Sequence, residues 1–139
     1  MQPVNGDYHL AGLAVPEGLD DLHDLLENVR ASHPDLLAED LLLFETAVVE
    51  IAGNVVEHGR PPGEVSWTFR MDVRPDRLIG KLSDSGQAYA AESATFEMPG
   101  ELAETGRGLA LAQLALDELT YERADGANHW IMVRNRRSA

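Results

Sequence analysis

Leu37, Leu41, Phe44, Val48, Ile51 and Val55 recur at steps of four, three, four, three and four residues. That spacing holds one apolar stripe on one helix face and predicts a long helix from about Asp35 to His58. Gly59 supplies a C-terminal stop, and Pro61-Pro62-Gly63 a turn. Upstream, Leu19, Leu22, Leu25, Leu26 and Val29 repeat at threes and fours, predicting a helix over Glu17 to His33 that Pro34 ends. Tyr8 to Val15 reads as a short strand interrupted by Gly12. Val65, Trp67, Phe69, Met71 and Val73 alternate with polar neighbours, the pattern of a half-buried strand. Pro75-Asp76 turns the chain into a second strand, Leu78 to Leu82, giving a hairpin. Ala88 to Thr105 is irregular, a long loop of the kind that is functional or mobile in a compact domain. Leu109 to Leu119 is apolar on several faces and reads as a well-buried helix. Glu118 to Arg123 and His129 to Arg134 read as two closing strands around Asp125-Gly126.

The order is strand, helix, helix, hairpin, loop, helix, hairpin. It predicts a single α+β domain over residues 1–139: a two-layer sandwich with about three helices on one face of a mostly antiparallel mixed sheet. The length of 139 residues suffices for a core without staples. Eleven basic against 24 acidic residues leave a net charge of −13, which argues against general nucleic-acid binding and against anionic membrane surfaces. Lys81 is the only lysine. The absence of cysteine excludes disulfides, thiolate metal sites and cysteine nucleophiles. Met1 to Leu10 has no secretory pattern and no apolar run could span a bilayer, so a cytoplasmic protein is expected.

Three segments could carry chemistry. Glu50 and Asn54 lie four apart on the long helix and point the same way, with His58 four further on. Asn and Gly are both poor choices for a helix interior, so Gly53-Asn54 suggests selection for something other than helix stability. The alternative is a solvated polar face, with Gly53 allowing close packing. Asp84-Ser85-Gly86 follows a strand: its carboxylate could accept a hydrogen bond from a ligand amino group, and its glycine permits close approach. An ordinary turn is the alternative. Gly106-Arg107-Gly108-Leu109 opens a helix whose free N–H groups could face phosphate. A plain glycine turn is the alternative there. His9, His23 and His33 have no ligand spacing and are expected on the surface.

Taken in order, FETAVVEIAGNVVEHG (Phe44 to Gly59), LSDSGQAY (Leu82 to Tyr89) and ETGRGLALAQLALDEL (Glu104 to Leu119) resemble the bacterial anti-sigma-factor serine/threonine kinases. Those proteins belong to the ATP-binding superfamily shared with type II topoisomerases, histidine kinases and mismatch-repair ATPases. The resemblance implies the histidine-kinase-like ATPase fold, with ATP and Mg²⁺ as cofactors. It implies that Asn54 coordinates Mg²⁺ and that Glu50 is the general base. It further implies that Asp84 bonds the adenine amino group beside Gly86, and that Gly106, Arg107, Gly108 and Leu109 line the phosphates. The implied partners are a sigma factor, an antagonist protein as phosphoryl acceptor, and a second copy of the chain through the first strand and helix. Such proteins often carry a hydroxyl residue in the last strand near adenine. His129 to Val133 offers none, with only Thr120 and Asn128 nearby. Glu92, Glu97, Glu101 and Glu104 crowd the loop and Arg107 is the sole cation near the phosphates, so nucleotide affinity is expected to depend strongly on Mg²⁺. The competing functional reading is a nucleotide-gated protein-binding module without phosphoryl transfer. A histidine-kinase-type ATP domain ranks lower, because no phosphoacceptor-helix pattern precedes it.

Overall fold

The computed structural model describes residues 6–59, 61, 63–87 and 111–137. Strand β1 spans Gly6–Leu13, helix α1 Pro16–Ser32 and helix α2 Ala38–His58. Strands β2 (Ser66–Val73) and β3 (Arg77–Asp84) form the first hairpin. A helical segment, α3, covers 111–115, and β4 (Glu118–Ala124) and β5 (Ala127–Asn135) form the second hairpin. The strands make one sheet in the order β1-β2-β3-β5-β4, and all four pairings are antiparallel.

Most elements fall where the hydrophobic pattern puts them, and the differences have local causes. Helix α1 begins at Pro16, a first-turn residue that lacks only an N–H the helix would leave unpaired. Helix α2 starts at Ala38 rather than Asp35. The chain turns first, with Leu36 N–H donating to His33 O at 3.0 Å, and Asp35 gives its carboxylate to Arg136 at 2.9 Å. The last helix ends at 115, earlier than its apolar pattern suggests. Arg134 Nη1 donates to Ala115 O at 2.9 Å, and Asp117 N–H donates to Val133 O at 2.7 Å, so the chain leaves the helix and joins the sheet. That helix is also less buried than expected: Ala112 and Ala115 face the core, while Leu111 and Leu114 are exposed. His33 is not a surface residue. It is buried at the end of α1, with Nε2 2.9 Å from the Tyr8 hydroxyl.

One face of the sheet holds the core. Trp67, Phe69, Met71 and Val73 of β2, Leu78 and Leu82 of β3, and Trp130 and Met132 of β5 point to the helices and are buried. They meet Leu41, Phe44, Val48, Ile51 and Val55, the predicted stripe of α2. Gly80 lies under Phe44, where a Cβ would come within 2.9 Å of the ring. At one end of this face Arg134 Nε donates to Asp40 Oδ1 at 3.0 Å, and Arg134 pairs across the sheet with Leu78. These contacts fix the direction of α2 along β3. Asn54 lies about 21 Å beyond Asp40 along the helix, and Asp84 about 20 Å beyond Leu78 along the strand. The helix therefore brings Asn54 level with the end of β3 that carries Asp84.

Candidate nucleotide site

The helix-facing side of the sheet is apolar along its middle and polar in its end rows. The register puts Asp84 between Trp67 and Asn128, and Asn128 between Asp84 and Arg123. Asp84 is only 3 % exposed and Asn128 fully buried. Asn128 Nδ2 donates to Asp84 Oδ1 at 2.9 Å, and Gly86 N–H donates to the same oxygen at 2.8 Å. Asp84 Oδ2 is buried and has no partner among the described residues. Gly86 lies close against this carboxylate: a Cβ there would be 3.0 Å from Asp84 Oδ1 and 3.4 Å from Val65. Val65 also packs against Gly59, at the end of α2, so one side chain joins the helix terminus to the Asp84–Gly86 turn.

Asn54 is buried on α2, whereas Glu50, one turn earlier on the same face, is half-exposed. Asn54 Nδ2 is the second buried side-chain atom here without a partner among the described residues. Asn54 is thus not part of a solvated face. Among the described residues Gly53 does not serve close packing, since a Cβ there would meet none of them within 4 Å. His58 ends α2, half-exposed beside Glu57. Two polar groups buried at one end of the core with no partner among the described residues are costly, at about 1–3 kcal/mol each. Such a cost is expected where a ligand completes the hydrogen bonding.

Burial pushes the Asp84 carboxyl above the usual aspartate range, and the Asn128 amide and Gly86 N–H oppose that shift. A raised folded-state value means that the protonated form suits the fold better. The associated stability is complete below the ordinary aspartate value of 3.8 and is lost as the pH rises through the raised one. Asp84→Asn keeps an acceptor for Asn128 and Gly86 but carries no charge. In thermal melts without nucleotide its Tm should exceed that of wild type by a few degrees at pH 7, with the difference vanishing below about pH 4. A lower Tm at pH 7 would refute the charge penalty.

Of the residues singled out in the sequence, Glu50, Asn54, Asp84 and Gly86 gather at this end of the molecule. Gly106, Arg107, Gly108 and Leu109 and the loop Ala88 to Thr105 lie outside the described residues. Thr120 is exposed and pairs with Ile131 on the other face of the sheet, away from Asp84. The buried partner of Asp84 is Asn128, supported by Tyr121 and Arg123. Their signal was available: Trp130 and Met132 set the inward phase of β5, and one further step of two reaches Asn128.

The sequence model of the histidine kinase-like ATPase domain matches residues 14–134. The chain belongs to that family. Membership makes ATP the implied ligand of this histidine kinase-like ATPase domain. The matched span takes in Asn54, Asp84 and Asn128. A crystal structure of the RsbU and RsbW domains of Rv1364c from Mycobacterium tuberculosis shares the fold, with a TM-score of 0.66 and 17% sequence identity. The match covers 96% of this chain and 34% of that one, so the chain spans about a third of its length. A search of curated proteins returns no significant sequence match. Among the described residues, no helix is long and apolar enough to cross a membrane.

Proposed function

We propose that this domain is an ATP- and Mg²⁺-dependent protein serine/threonine kinase of the anti-sigma-factor type. In this reading it phosphorylates an antagonist protein and sequesters a sigma factor, working as a homodimer. The observation that carries the nucleotide part is the pair of buried polar atoms, Asp84 Oδ2 and Asn54 Nδ2, that lack a partner among the described residues at one end of the core. The anti-sigma part rests on the order of the three motifs described above.

Asp84 Oδ2 would accept from the exocyclic amino group of adenine, and Gly86 would leave room for the base. Asn54 would hold Mg²⁺ through its amide oxygen, which a half-turn of the amide brings to the buried, unpartnered position. Mg²⁺ takes few protein ligands and draws the rest from phosphate and water. Among the described residues no group of three or more His, Asp or Glu could hold a metal ion, so a lone Asn54 ligand would make the metal depend on the nucleotide. Bound Mg²⁺-ATP supplies a transferable phosphoryl group with its charge partly neutralised. Glu50, half-exposed one turn before Asn54, would accept the proton of the incoming serine or threonine hydroxyl. β1 is an edge strand, open to pairing with a second copy.

The test is transfer of label from γ-³²P-ATP to small antagonist-type proteins encoded beside this chain. Labelling of a serine or threonine is the expected result. ATP binding with no labelling of any of them would favour a nucleotide-gated binding module.

A further inference from the structure

We propose that Asn128 is a positioning residue of the base site: every hydrogen-bonding position it has is spent on protein, and it holds Asp84 so that Oδ2 alone faces the ligand. This rests on the nucleotide-binding reading above. An amide side chain offers two N–H donors and an oxygen with two lone pairs. Asn128 Nδ2 donates to Asp84 Oδ1 at 2.9 Å and to Gln87 O at 3.0 Å, with Gly86 O at 3.5 Å. Its Oδ1 accepts from the Tyr121 hydroxyl and from Arg123 Nη1, the latter at 3.1 Å. The partners leave only one orientation of the amide. Turned over, its oxygen would face a carboxylate and a carbonyl, and its nitrogen a guanidinium.

Asn128 therefore has nothing left with which to touch a base. Its effect passes through two other groups. It occupies Oδ1 of Asp84 together with Gly86 N–H, so the carboxylate cannot turn without breaking both bonds. It also ties the Gly86–Gln87 backbone to the β4–β5 hairpin, helped by Arg123 Nη1 donating to Gly86 O. Tyr121, which supports Oδ1, leans on Trp130 with ring centroids 4.7 Å apart. The site that results offers Asp84 Oδ2 as an acceptor, and Asn128 adds no spare donor beside it. It suits a 6-amino purine and disfavours a 6-oxo purine, whose carbonyl would meet the carboxylate oxygen.

The test is a double-mutant cycle on the full chain, with the affinities for ATP and for inosine triphosphate measured by calorimetry. Asn128→Leu should weaken ATP about tenfold while changing inosine triphosphate affinity by less than about threefold. Once Asp84→Asn has removed the acceptor, Asn128→Leu should cost ATP less than about twofold more, because the two residues act as one unit. Tyr121→Phe removes a single bond to Asn128 Oδ1 and decides the matter if Asn128→Leu fails to fold. It should weaken ATP about threefold and spare inosine triphosphate. Equal losses for both nucleotides, additive losses in the cycle, or a silent Tyr121→Phe would overturn the positioning role while leaving ATP binding intact. A wild-type chain that binds neither nucleotide would remove the nucleotide reading itself.

Discussion

Arg134→Met should destabilise the domain by about 3–5 kcal/mol, measured as a lower urea midpoint with an unchanged slope. Arg134 is 4 % exposed and Asp40 fully buried. The guanidinium meets Asp40 Oδ1 through Nε at 3.0 Å and Ala115 O through Nη1 at 2.9 Å, while Arg137 N–H donates to Asp40 Oδ2 at 2.8 Å. One side chain thus ties the start of α2, the end of α3 and β5. Removing it leaves a buried carboxylate without its counter-charge and a helix-end carbonyl without its donor. Total stability for a domain of this size is roughly 5–15 kcal/mol, so much of the margin would go. The Asp40→Leu/Arg134→Met double variant should recover most of the loss, because the orphaned charge is what costs. A single variant within about 1 kcal/mol of wild type would show that the pair does not anchor α2.

Glu50→Gln should leave ATP affinity within about twofold of wild type and slow phosphoryl transfer by about 10²–10⁴-fold. Gln has the shape of Glu but cannot take up a proton from an attacking hydroxyl. Glu50 is partly exposed and in the proposed reading would reach a protein substrate, whereas Asn54 is buried. Single-turnover transfer measured beside equilibrium binding separates the two quantities. Transfer at the wild-type rate would rule out Glu50 as the base.

The apolar stripe of α2 made both that helix and its Glu50–Asn54 face legible, because a 3.6-residue period sustained over six positions admits few other readings. The alternation of β2 was equally plain. What escaped depended on tertiary partners. Asp35 looks like the start of a helix, but its carboxylate is taken by Arg136, 101 residues away. His33 looks like a surface histidine, but Tyr8 comes across from β1 to cover it. Asn128 is legible only as a neighbour of the adenine site, because the pattern starts β5 at His129 whereas the strand begins at Ala127, which puts Asn128 on the inward face. Arg134 reads as a strand-end charge, and only the packing of α2 over β5 shows it to be the buried partner of Asp40.

A calorimetric titration of the wild-type chain with ATP, once with excess Mg²⁺ and once with EDTA, bears most directly on whether Asn54 and Asp84 serve one nucleotide site. One ATP per chain should bind in Mg²⁺, with affinity at least about tenfold weaker in EDTA, because in the proposed reading Asn54 would hold Mg²⁺, which would offset the phosphate charge. Absence of binding in Mg²⁺, or equal affinity under both conditions, would contradict the account.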